Sequence, residues 1–173
     1  MTWTAPEAHR IDTPELADER AALDSFLDYH RQTLLWKCSG LTAEQLKRRA
    51  VGSSTLTLLG LVRHLTEVER SWFRKRFAVE QVDAIYFTDE DPDADLNDLD
   101  NADAEADFVA YQAEIESCRT AVAGRRLDET FIHPRTGVEI SLRWVYLHML
   151  EEYARHNGHA DLIREAIDGA TGE

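Results

Sequence analysis

One stretch constrains this chain more than any other: SLRWVYLHMLEEYARHNGHADLIREAIDG, from Ser141 to Gly169. Leu142, Val145, Met149, Tyr153, Ala160, Ile163 and Ile167 recur in it at helical spacing. At about 100° per residue they form one continuous stripe. Ser141 suits the N-cap and Gly169 the residue that closes the helix. Glu152 and His156 fall inside the stripe, four residues and so one turn apart,. Glu151, Arg155, Asp161 and Glu165 point the opposite way. A carboxylate and an imidazole on an inward face are costly unless partnered, and a divalent metal would partner both.

The remaining periodicities supply what this helix packs against. A first helix is expected from Pro14 to Cys38, with Leu16, Leu23, Leu27, His30 and Leu34 inward and Gly40 as its stop,. Thr42 caps a short helix within Leu41–Arg49. A second long helix spans Leu56 to Phe77, its stripe formed by Leu58, Leu61, Leu65, Val68 and Trp72, with His64 at the edge. Glu67 projects away from that stripe, toward water. A third helix covers Ala104 to Ala123 through Phe108, Tyr111, Ile115, Cys118 and Val122,. His133-Pro134 and Thr136-Gly137 mark a turn inside Leu127–Ile140, the signature of a small hairpin. The expected fold class is all-α, a four-helix bundle with a long acidic connection between helices two and three. With 173 residues the chain reads as one domain, residues 1–13 forming an arm,.

That acidic connection, residues 79–102, invites a calcium reading that its spacing refuses. Starting a binding loop at Asp91 puts Leu96 where the turn needs glycine and Ala102 where a bidentate glutamate belongs,. A solvated acidic loop covering one end of the bundle is the better account. The net charge of −14 argues against nucleic acid and anionic membrane surfaces,. No apolar run has the length of a bilayer span, and MTWTAPEAHRIDTPE lacks the apolar core of a signal peptide,. Cys38 and Cys118 make no disulfide framework and look like core residues. A cytoplasmic protein with reduced thiols is expected.

The chemistry then rests on His64, Glu152 and His156, two imidazoles and one carboxylate facing inward from two helices. A pair at i and i+4 can clasp one ion, with a third ligand arriving from the neighbouring helix. Three protein ligands leave a position open for water or substrate, the pattern of a catalytic metal. Zn(II), Ni(II), Fe(II) and Mn(II) all suit the set. Spacing alone leaves a second reading open, in which these groups bond one another or water inside a polar core. His159, a turn beyond His156, is the candidate catalytic residue as a proton shuttle, with ligation or hydrogen bonding to a ligand as alternatives. His148, a turn before Glu152, is placed to hydrogen-bond it. His30 reads as a core or bundle-mouth residue, and His9 and His133 as loop residues without a role. Arg155 and Arg164 could meet an anionic substrate at the bundle mouth or simply face solvent.

Two motifs, the Ser141–Gly169 stretch and LTLLGLVRHLTEVERSWF at 56–73, resemble the DinB/YfiT-like superfamily, in a branch related to the N-terminal domain of mycothiol-dependent maleylpyruvate isomerase. The resemblance runs from Glu19 to Glu173. It implies a four-helix bundle of up-down-down-up connectivity with a divalent metal near one end, zinc or nickel foremost. It also implies His64 as the first ligand and His156 as the last. His156-Asn157-Gly158-His159 stands where many members carry His-Arg-Gly-Gln, and Glu152 stands where the preceding ligand is often His, as in the maleylpyruvate isomerase branch. The activity implied is thiol S-transfer or isomerisation with a low-molecular-weight thiol, mycothiol or a relative, acting on an electrophilic substrate. Metal-assisted hydrolysis by a bound water remains the alternative enzyme, and an Fe(II) oxygenase fits the ligand set alone. A non-catalytic metal-binding or stress-related module is the alternative outside enzymes, and a homodimer is compatible with either.

Overall fold

A computed structural model describes residues 2–172, and its regular structure is mostly helical, with one short hairpin. The elements in order are α1 (Glu19–Cys38), α2 (Ala43–Leu46), α3 (Leu58–Glu69) with a π-helical extension (Arg70–Phe77), α4 (Ala94–Asn97), α5 (Ala104–Val122), β1 (Thr130–Ile132), β2 (Glu139–Ser141) and α6 (Leu142–Asp168). Each long helix begins at a polar cap that satisfies an otherwise orphaned amide: Asp18 for α1, Thr57 for α3, Asp103 for α5 and Ser141 for α6,. α6 ends on Gly169 at φ +78°, a backbone region closed to most side chains,. The hairpin expected around His133-Pro134 exists, with Phe131 opposite Ile140.

α1 starts later than the periodicity suggests. Asp18 takes the Ala21 amide and fixes the first turn there, so Leu16 lies outside the helix and is 94% exposed. Residues 3–5 are less free than an arm: Thr4 bridges to Thr42, Ala5 is buried, and Trp3 sits edge-on to Phe108.

Leu58, Leu61 and Leu65 of α3, Tyr111 of α5, and Leu142, Val145, Met149 and Tyr153 of α6 are fully buried in one contiguous core. Each such aliphatic side chain contributes roughly 1.5–3 kcal/mol by leaving water. Side-chain pairings fix the helix directions. Along α1 and α6 the partners rise together, Glu19 with Arg143, Asp24 with Tyr146 and Lys37 with Asp161, so these two run in the same sense. Arg63–Asp107 and Arg70–Glu114 make α3 and α5 parallel. Glu69–Tyr153 and Phe73–Tyr146 make α3 and α6 antiparallel.

One buried polar network joins all four. Arg31 of α1 binds Glu69 of α3 through two hydrogen bonds of 2.7 and 2.8 Å. Tyr153 of α6 donates to the same carboxylate at 3.0 Å, and Tyr111 of α5 lies 2.8 Å from the Tyr153 hydroxyl. Glu69 has no exposed surface, so the bidentate guanidinium and the phenol chain are what make its charge tolerable,. Because α6 is gripped at Tyr153, the register of its neighbours Glu152 and His156 is held too.

The acidic connection is anchored rather than merely solvated. Glu67, expected at the surface, is buried, and its carboxylate accepts the amides of Ile85 and Tyr86. Burial pushes its pKa up while those amides pull it back,. Arg70 donates to the Asp83 carbonyl at 2.7 Å and Arg63 to that of Asp98. α4 then lies directly on α3 at Gly60, where an added Cβ would stand 2.8 Å from the Leu96 carbonyl oxygen. Sequence periodicity could not place these contacts, since they join a helix to a segment without periodicity.

Candidate metal centre

His64 comes from the middle of α3, and Glu152 and His156 from adjacent turns of α6. The antiparallel packing of these helices brings the three together. One potential ligand atom from each lies within 4.8 Å of the other two. The two imidazoles meet edge-on with ring centres 4.8 Å apart, and His156 Nε2 is 3.5 Å from Glu152 Oε2. Ligands held about 2.1 Å from one cation stand roughly 3 to 4 Å apart, so side-chain adjustment of under about an ångström closes the set. The residues fit a divalent metal, and one side of the cluster remains open, with the His64 and Glu152 side chains each 24% exposed.

The surroundings select the donor atoms. Asp95 of α4 is buried, and its Oδ2 lies 2.8 Å from His64 Nδ1. With the ring proton on Nδ1 directed at that carboxylate, Nε2 is left as a neutral donor facing the cluster. Asp95 Oδ1 accepts the Leu96 amide at 2.8 Å, which fixes the carboxylate plane. His156 is held similarly, its Nε2 toward Glu152 and its Nδ1 3.4 Å from His159 Nδ1. Burial, then the nearby His64 and His159, lower its pKa to about 4, so its ring is neutral at ordinary pH,. His148 Nε2 approaches Glu152 Oε1 at 3.4 Å, leaving Oε2 for the cluster. Two imidazoles and a carboxylate converging on one point are a donor set that suits a divalent metal,.

The acidic connection therefore supplies Asp95, which the sequence reading assigned to a solvated acidic loop. The signal was there in part: Leu96 and Leu99 interrupt the run of acids, and they anchor the turn that carries Asp95. Arg164 is engaged with the carbonyls of Lys37 and Ser39, and exposed Arg155 pairs with Glu151, which leaves both occupied away from the cluster. His30 is half-buried, its carbonyl accepting from Asn157 at 3.0 Å. Cys38 and Cys118 are buried free thiols, and burial pushes Cys38 up to about 12 and Cys118 higher. Neither is a nucleophile in the folded protein. A separate cavity of about 280 Å³ between α1, α5 and α6 includes Arg20, Asp24, Asp28 and Arg31 in its lining and shares no residue with the metal cluster.

A family model described as mycothiol S-transferase matches residues 22–169, the greater part of the chain. The chain belongs to the mycothiol S-transferase family. That membership fits the DinB/YfiT-like superfamily suggested by the two helical motifs. No curated protein and no solved structure matches the chain. A mycothiol S-transferase takes its sulfur from a small-molecule thiol, and both cysteines of this family member are inert. The matched span includes every residue of the cluster, Asp95 and His159. Among the described residues no helix is long and apolar enough to cross a membrane.

Proposed function

We propose that this protein is a metal-dependent thiol S-transferase that joins a mycothiol-type thiol to a small electrophile in the cytoplasm. The observation carrying this reading is the convergence of His64, Glu152 and His156 on one open-sided point, in a chain whose family is defined by mycothiol transfer. The parallel and antiparallel helix pairs support an up-down-down-up four-helix bundle, with the site between its second and fourth long helices. In this reading His64 Nε2, Glu152 Oε2 and His156 Nε2 hold a divalent ion, zinc or nickel before iron or manganese. Such an ion, when bound, would supply Lewis acidity that brings the pKa of a thiol toward neutrality.

The chain's own residues do the rest. Asp95 keeps the His64 proton on Nδ1 and the ring in plane with the site,. His148 steadies Glu152. Among the described residues, His159 is the one partly exposed imidazole beside His156 outside the ligand set. It accepts the thiol proton and delivers it to the leaving group, or to the carbon next to the new C–S bond when the electrophile is an activated alkene. The sulfur pair forms that bond as the electrophile's own pair departs.

The test is metal analysis of protein purified without an affinity tag, for wild type and His64→Ala, followed by melting in the presence of mycothiol. About one metal per wild-type chain, a stoichiometry that collapses in the variant, and stabilisation by thiol only in the metal-loaded form are expected. Equal metal content in the two proteins would refute the reading.

A further inference from the structure

Beyond the metal cluster, the seam between α3 and α6 changes character. Four-residue steps along the two antiparallel helices pair His64 with His156, Trp72 with His148, and bring Arg76 to the turn of Trp144. Past Glu152 the seam is aromatic. His148 stacks on Trp144 with ring centres 4.9 Å apart and planes 14° apart. Trp72 stands edge-on to His148 at 4.7 Å and lies 5.3 Å from Trp144. His133, from the hairpin, closes the other side at 5.9 Å from Trp72, its Nδ1 accepting the turn amides of Arg135 and Thr136. This cluster is joined to the metal centre through the His148–Glu152 contact, and Trp144 leaves 45% of its surface open.

The charge at the far end is unusual for a chain of net charge −14. Arg76 lies over the Trp72 ring with its guanidinium carbon 4.5 Å from the centroid, and its hydrogen-bond partner is the neutral Ser71 hydroxyl. Among the described residues neither Arg76 nor Arg135 forms an ion pair, while most of the other arginines do. The two are close enough that Arg135, after burial, is what disfavours the charge on Arg76. Two uncompensated cations beside the partly open ring of Trp144 make a site for an anion with a flat body,. The π-helical stretch Arg70–Phe77 carries both Trp72 and Arg76, and such segments cluster at functional sites,.

We infer that the Trp72–Trp144–His148 seam with Arg76 and Arg135 is the acceptor subsite, and that the electrophile it takes is a planar aromatic compound bearing a carboxylate or comparable anionic group. The flat ring lies on the open face of Trp144 with its charge toward the arginines, and its reactive carbon toward Glu152 and the thiol. The inference rests on the transferase reading for its meaning, since it places the acceptor beside the activated sulfur. It deepens that reading by naming the substrate class.

Binding is measured directly by titration calorimetry on the full-length protein, without mycothiol. Three unreactive probes are compared: 2-naphthoate, the planar but neutral 2-naphthamide, and the anionic but non-planar cyclohexanecarboxylate. Saturable binding is expected for 2-naphthoate, weaker by about fivefold or more for each of the others. Trp144→Ala is expected to weaken 2-naphthoate about fivefold, and Arg76→Gln or Arg135→Gln about tenfold, with 2-naphthamide changed less than about twofold by either arginine variant. Arg135 sits in an exposed turn, so its variant reads the charge even if Arg76→Gln disturbs folding. No saturable heat, equal binding of the three probes, or indifference to Trp144→Ala overturns the proposal. Because the assay requires neither thiol nor turnover, its failure leaves the metal reading to the metal-content measurement, and the converse also holds.

Discussion

Replacing Asp95 by Asn isolates the contribution of the acidic connection to the metal centre. The variant keeps the shape of the side chain and an acceptor oxygen but removes the charge 2.8 Å from His64 Nδ1. Hydrogen bonds to a charged group contribute about 1.5–3 kcal/mol, against about 1 for a neutral one. Only 6% of the Asp95 side chain is exposed, so solvent screens little of that difference,. A loss of about 1–2 kcal/mol in the donor strength and orientation of His64 translates into roughly a 5- to 30-fold weaker metal, within the tenfold to hundredfold range typical of groups that orient ligands. The assay is competitive titration of zinc or nickel against a chromogenic chelator at pH 7, with Asp93→Asn as the control because Asp93 is exposed. Asp95→Asn affinities within about twofold of wild type would refute the argument that this carboxylate sets the His64 tautomer.

Three further outcomes are expected. For metal-free protein, His156 titrates near 4 in the fold against about 6.5 unfolded, so its contribution is complete above pH 6.5 and is lost as pH falls toward 4,. The melting temperature should decline through that window, and a His156→Gln variant that declined just as steeply would contradict the assignment. Arg31→Met leaves the Glu69 charge buried and unpaired, and urea denaturation should register a loss of about 3–5 kcal/mol, recovered in part by adding Glu69→Met,; no recovery would mean that the two residues are not coupled. Native protein should resist a chromogenic disulfide such as 5,5′-dithiobis(2-nitrobenzoate) and release two equivalents once denatured, because Cys38 and Cys118 are sealed in the core,; fast labelling of the folded form would show the core open.

What could be read from the residues and what could not divide along physical lines. Periodicity locates helices, so Leu142, Val145, Met149 and Tyr153 announce the inner face of α6, and Glu152 and His156 on it announce a polar cluster,. Capping chemistry is local as well, which is why Ser141 and Gly169 mark the true ends of α6. The beginning of α1 eluded the pattern because Asp18 outcompeted Pro14 for the first turn, a choice decided by a side-chain acceptor rather than by hydropathy,. Glu67 was misplaced for a different reason: a carboxylate on a helix flank looks solvated until a distant segment offers it two amides. Asp95 belongs to the same class, one acid among many whose neighbours in space, not in sequence, give it a role.

Gly60 shows how a missing atom can set the tolerance of an entire segment. With no side chain there, the backbone at Leu96 settles against α3 at a distance that any methyl group would forbid, and Asp95 inherits its position from that seating. Length and composition upstream, between Thr88 and Asp93, are then free to drift, since errors accumulated along that span are reset where the chain touches down. A single methyl at position 60 would instead propagate outward, tilting α4 and withdrawing its carboxylate from His64 with His64, Glu152 and His156 themselves untouched.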